Sequence, residues 1–230
     1  MSTPTIPPRE PYTLPPAACA LLLTSTRLFV RDYMSRYDAS HDWAHIERVS
    51  RLATRLTPPS ADHGHDALLI QLAALLHDVG DHKYSTGGDS VESVLLGYNC
   101  PAALARGVAV VVAHVSYSSE IANPAAVRAV LAVYPELAVV QDADRLDALG
   151  AVGIARCFVF GGVVRNASLQ GCVEHFGEKL VKIQALMKTR LGRELAVERT
   201  RRVNEFWGWW REENGEGEEE VGVPEEKVEM

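Results

Sequence analysis

Cysteine is scarce in this chain. Its four residues, Cys19, Cys100, Cys157 and Cys172, lie far apart among small or apolar neighbours, and no CxxC pair occurs. Nothing there resembles a disulfide framework, and reduced thiols are expected. Long apolar runs are missing too. Ala17–Leu23 is short, follows two prolines and has only Arg9 before it as a positive charge, which argues against a secretory signal. Ala102–Val115 is interrupted by Arg106 and is too short to span a bilayer. Positive charge is not in excess: the formal net charge is -7, much of it in a glutamate-rich C-terminal tail. The remaining body is near neutral and offers no basic field for polymeric nucleic acid. A soluble, cytoplasmic protein with no membrane partner is expected, a nuclear location staying open.

Strand-like alternation and internal repeats are also absent, so the fold class expected is all-α. The 230 residues, 47% apolar and 23% charged, are enough for a sizeable core. Residues 1–16 hold six prolines and read as a disordered or extended lead-in. Helical spacing of apolar residues then runs from Ala17 to about Tyr37, from Asp42 to about Leu56 and over Ala67–His77. The third segment is apolar nearly all round, the mark of a helix at the centre of a bundle. Further helices are expected at about Ser90–Leu96, Pro101–His114, Asn123–Tyr134, Glu136–Leu149 and Gly150–Phe160. Gly161-Gly162 is expected to break the chain, and two long helices, about His175–Thr189 and Leu195–Glu212, close the fold. Residues 17–212 form the expected single domain, followed by a disordered acidic tail over 213–230.

Three His-Asp dipeptides occur, His41-Asp42, His65-Asp66 and His77-Asp78, and only the last ends a strongly apolar helix. Neighbouring residues inside a helix point about 100° apart, so one cation is best reached by both at a helix end. A carboxylate in a dry interior also needs a partner, which a metal ion supplies. A further histidine, His45, opens the second helix in His45-Ile46-Glu47-Arg48-Val49, and a further aspartate, Asp144, lies in Gln141-Asp142-Ala143-Asp144-Arg145-Leu146.

In this order and context, these residues resemble the HD-domain metal-dependent phosphohydrolases over roughly Ser40–Arg156. The stretches Ser40-His41-Asp42-Trp43-Ala44-His45, His77-Asp78-Val79-Gly80-Asp81 and Asp142-Ala143-Asp144-Arg145-Leu146-Asp147 look like the small nucleotide-hydrolysing branch. The resemblance implies a helical bundle of the HD type in which His45, His77, Asp78 and Asp144 bind one divalent cation. Two imidazoles and two carboxylates suit Mn²⁺, Fe²⁺, Co²⁺, Ni²⁺ or Zn²⁺, and Mg²⁺ through its waters. It further implies that Asp81, three residues past Asp78, acts as general base or orients the attacking water; a loop-capping role is the plain alternative.

Around this set, several residues have two readings. Lys83 is either a phosphate contact or a solvated lysine. Arg48, on the same face as His45, can hold a phosphate or pair with a carboxylate such as Asp147, and Arg145 faces the same choice. Asp142 and Asp147 are candidates to sit behind the ligands, Asp142 orienting a histidine. His41 is expected to touch the site or cap a helix, and His114 to lie near substrate or in the core. His63 and His65 read as exposed loop residues, Glu178, Lys179, Lys182 and Lys188 as a solvated helix face. Phe206, Trp207, Trp209 and Trp210 read as core or interface packing. The expected activity is hydrolysis of a small phosphorylated substrate, a (deoxy)nucleotide, as a nucleoside triphosphate pyrophosphohydrolase or 5′-nucleotidase. The alternative is a metal- or nucleotide-binding regulatory protein of the same fold with little turnover. The long terminal helices could pair two copies as a homodimer.

Overall fold

The computed structural model describes residues 6–37, 42–58, 65–80 and 90–215. The chain runs through α1 (Pro16–Met34), α2 (Trp43–Leu56), α3 (Ala67–Leu76), α4 (Val91–Gly97), α5 (Ala102–Val112), α6 (Tyr117–Ala122) and α7 (Pro124–Val133). It continues through α8 (Glu136–Asp147), α9 (Gly150–Val164), α10 (Leu169–His175), α11 (Val181–Ile183) and α12 (Arg190–Glu213). The described residues include no strand.

Helix α3 has no charged side chain, so only burial on all sides satisfies it. Helices α1, α2, α5 and α8 pack around it. Ile70, Leu72, Ala73, Ala74 and Leu76 are fully buried. Each large side chain among them contributes about 1.5–3 kcal/mol by leaving water. Side-chain caps fix where several helices begin. Asp42 accepts from His45 N to start α2, Asp66 accepts from Leu68 N and Leu69 N to start α3, and Thr189 accepts from Gly192 N to start α12.

Residues 6–15 form neither helix nor strand and are held against the body. Arg9 reaches the fully buried Glu136 at 2.9 Å, and Tyr12 donates to Asp66 at 2.6 Å. His65, expected to be exposed, is half-buried beside that cap. The acidic tail from residue 216 lies outside the described residues.

Two expectations about the second half are corrected. Gly161-Gly162 does not break the chain, because α9 continues to Val164. Gly161 serves close packing instead: a Cβ there would lie 2.2 Å from Cys172 Sγ on α10. The expected helix over His175–Thr189 is divided into the end of α10, a π turn at Phe176–Leu180, α11 and a 3₁₀ turn at Gln184–Leu186. The chain then turns extended at Met187. Its cause is the carboxylate of Asp142, which accepts from Lys188 N at 2.9 Å and Thr189 N at 2.7 Å and so sets the start of α12 at Arg190. At the π turn Gly177 leaves room for Trp207, whose ring a Cβ would meet at 2.7 Å. Phe158, Phe176, Phe206 and Trp210 pack together with ring centroids 6.0–6.4 Å apart, whereas Trp209 is exposed.

The packing role of Gly161 separates it from its neighbour, where a Cβ would meet nothing within 4 Å. Gly161→Ala is expected to destabilise the fold by about 1–3 kcal/mol through overpacking. Gly162→Ala should be neutral or stabilising by up to about 1 kcal/mol, because alanine is the better helix former. Urea denaturation of both variants checks this, and equal loss in both would contradict the packing account.

Candidate metal centre

Three elements deliver the central side chains. His45 stands in the first turn of α2, His77 is the C-cap of α3 with Asp78 just beyond it, and Asp144 lies in α8. Both histidines are buried, while Asp78 and Asp144 stay partly open, their side chains 25% and 26% exposed. The Nε2 atoms of His45 and His77 are 3.1 Å apart. Asp78 brings Oδ2 to 3.3 Å from His45 Nε2 and Oδ1 to 3.5 Å from His77 Nε2. Asp144 Oδ1 is 3.6 Å and 3.7 Å from the same two nitrogens.

The remaining ring nitrogens decide what this means. His77 Nδ1 donates to the Ala74 carbonyl at 2.9 Å, and His45 Nδ1 donates to Asp147 Oδ2 at 2.8 Å. Both partners only accept, so each Nδ1 carries its proton and each neutral ring points an Nε2 lone pair inward. Two lone pairs and two carboxylates facing one point need a cation or a proton between them. Two ligands on one ion, each bonded at about 2.1 Å, lie roughly 3.0 Å apart at right angles and roughly 3.4 Å apart in a tetrahedron. The observed separations, 3.1–3.7 Å, overlap that range and extend slightly beyond it. One donor atom from each of His45, His77 and Asp144 falls within 4.8 Å of the others. These three residues can hold a divalent cation.

Asp147 fixes the orientation of His45 and is itself held in place. Arg48 donates to it through Nε at 2.7 Å and Nη2 at 3.0 Å, and Arg156 reaches it at 3.0 Å. Burial alone would raise this carboxyl group, but the hydrogen bonds from His45 and Arg48 and the charge of Arg156 hold it well below the usual carboxylate range. Arg48 therefore takes the carboxylate-pairing option of the two open to it.

A cavity of about 280 Å³ opens on the centre, with His45, Asp78 and Asp144 in its wall. Arg156, Arg165 and Lys179 bring positive charge to it, and Tyr117 and Phe160 bring aromatic rings. Lys179, assigned to a solvated face from sequence, is half-buried with its ammonium 5.0 Å from the Tyr117 ring centroid. Arg156 and Arg165 drew no attention in the sequence. Their one signal was being cations within, or directly after, the predominantly apolar stretch of α9.

Other candidates are placed differently. Arg145 borders the cavity, but its guanidinium is committed to Glu120 and to the Leu186 carbonyl, which removes it as a phosphate contact. Lys188, likewise not solvated, pairs with the same Glu120 at 3.0 Å. Asp142 orients no ligand histidine, because its oxygens are taken by Lys188 N, Thr189 N and the Thr189 hydroxyl. His114, just past the end of α5, is half-buried and bonds through Nδ1 to the Val110 carbonyl of that helix, outside the cavity wall. His41, Asp81 and Lys83 lie outside the described residues.

Comparison with known proteins shows the family of the chain. The family model for the HD domain matches residues 42–149. The uncharacterized protein YpgQ of Bacillus subtilis is 34% identical over 183 residues, which is 75% of this chain and 84% of YpgQ. A crystal structure of YpgQ in complex with ADP is similar with a TM-score of 0.69 at 29% identity, over 85% of this chain and 96% of that one. An HD-superfamily hydrolase from Bacillus thuringiensis gives a TM-score of 0.56 at 29% identity, over 85% and 98% of the two chains. No single helix among the described residues is long and apolar enough to cross a membrane.

Without a cation, burial pulls the His45 imidazole down, but the hydrogen bonds to Asp147 and Asp78 outweigh it and push its pKa up to about 9. Below that pH the ring holds an extra proton, which an incoming cation must displace. Mn²⁺ affinity is therefore expected to rise about tenfold per pH unit from about pH 7 to about pH 8.5 and to level off above about pH 9. Equilibrium titrations at several pH values check this, and a flat profile would mean that no proton is exchanged.

Proposed function

In a chain that belongs to the HD-domain family, we propose that His45, His77, Asp78 and Asp144 hold one divalent metal ion in a phosphohydrolase acting on a small phosphorylated substrate. The observation that carries this reading is the imidazole pair, two Nε2 atoms 3.1 Å apart with both Nδ1 protons tied outward. A divalent ion in such a site lowers the pKa of a bound water and polarises a phosphoryl oxygen.

The chain's own groups supply the rest. Asp147 and the Ala74 carbonyl keep the two rings in the tautomer that leaves Nε2 free. Arg156, Arg165 and Lys179 give the cavity a positive wall that suits a phosphate chain and the charge developing on it. Tyr117 and Phe160 offer flat surfaces for a base. Asp81, just past the Asp78 ligand in sequence, is the proposed proton acceptor for the attacking water, with Lys83 and His41 as further phosphate contacts. The ADP bound to YpgQ supports a nucleotide as substrate. A nucleoside triphosphate pyrophosphohydrolase or a 5′-nucleotidase is the reaction type this favours.

Purified protein loaded with Mn²⁺, Co²⁺ or Mg²⁺ is expected to release phosphate or pyrophosphate from at least one member of a (deoxy)nucleotide panel. His77→Ala and Asp144→Ala should lose the bound metal, and with it turnover by on the order of 100-fold or more. Wild-type protein that retains metal yet releases neither product would overturn the hydrolytic reading.

A further inference from the structure

A second cavity, of about 320 Å³, shares no lining residue with the first. Three of its arginines, Arg48, Arg51 and Arg55, come from one face of α2, where spacings of three and four residues align side chains. Arg199 and Arg202 face them from α12. Asp147 is the one carboxylate in the wall, and its oxygens are already shared among His45, Arg48 and Arg156. Of the guanidinium groups, Arg202 is balanced by Glu198, and Arg199 donates to the Leu146 carbonyl. Arg51 and Arg55 make no ion pair among the described residues. Like charges drawn together around a concavity repel, and the half-buried Arg199 is held below its ordinary pKa by burial and by neighbouring Arg202 and Arg55.

The cavity is also reached by a helix start. Helix α9 begins here at Gly150, its N-cap Leu149 makes no side-chain cap, and Ala151 and Val152 of its first turn line the wall. Unsatisfied N–H groups at the start of a 15-residue helix favour a negative partner. Gly150, at φ +72°, brings that helix start against Arg199, whose Cγ a Cβ would meet at 3.3 Å.

We propose that this arginine-lined cavity is a second anion site that takes a small oligophosphate, distinct from the metal-bearing pocket. Guanidinium groups on two facing helices match the several oxygens of a di- or triphosphate. A half-open concavity of this size, with Arg51, Arg55 and Arg202 exposed at it, suits a small molecule rather than a polymer lying across a flat basic face. The chemistry is shared by free pyrophosphate and by the phosphate chain of a nucleotide.

The test titrates pyrophosphate, and separately ADP, into the full-length protein by calorimetry with divalent cations chelated, so that it does not depend on metal binding or turnover. Wild type is expected to bind two equivalents of pyrophosphate. Arg51→Ser/Arg55→Ser should weaken one of them by about tenfold or more, and Arg51→Lys/Arg55→Lys should largely restore it. The second equivalent should persist in Arg165→Ser/Lys179→Ser, which alters the other pocket. Two equivalents of ADP would identify a nucleotide's phosphate chain as the occupant, and pyrophosphate alone in the second site would identify a free oligophosphate. Wild type that binds no pyrophosphate, or binds none that Arg51→Ser/Arg55→Ser weakens in a protein with wild-type circular dichroism, would overturn the proposal.

Discussion

Two neutral imidazoles whose acceptor nitrogens sit 3.1 Å apart inside a protein repel unless something positive lies between them. Here neither ring can escape by changing tautomer, since the carbonyl of Ala74 and the carboxylate of Asp147 each demand a proton from Nδ1. Two aspartates aim at the same point. The rest of the molecule holds this arrangement in place; a proton on His45 can bridge it, and a divalent cation could take the same position.

The fold serves that end through helix termini. The apolar α3 sits where no charged group could, and its end places His77 and Asp78 together. Asp42 caps α2 and so sets the first turn that carries His45. Helices α8 and α9 meet at a 74° corner, with Gly150 at positive φ between them. That corner brings Arg156 of α9 back onto Asp147 of α8. Asp147 thus ties the imidazole of His45 to two guanidinium groups and stands between the candidate metal centre and the arginine-lined cavity.

The helices of the first half were legible because apolar periodicity, prolines and capping residues are local signals. His45, His77 and Asp144 were legible for a related reason: each is a ligand-type side chain in a short, ordered context. What could not be read depended on partners remote in sequence. Asp142 looks like any aspartate near a ligand until the backbone at Lys188 and Thr189, 46 and 47 residues later, is seen to rest on it. Gly161 carries the signature of a break, and only the approach of Cys172 shows it to be a contact point. Arg156, Arg165 and Lys179 have no motif, since a cation on a helix acquires meaning only from the cavity it faces. The lead-in, too, gave no sign that Arg9 would meet a buried Glu136.

The most direct measurement is a crystal structure of the Mn²⁺-soaked protein with data collected to show anomalous scattering. The account predicts one strong peak within bonding distance of Nε2 of His45, Nε2 of His77 and a carboxylate oxygen of Asp144. A well-ordered centre with no peak, the two imidazoles bridged only by a proton, would contradict it.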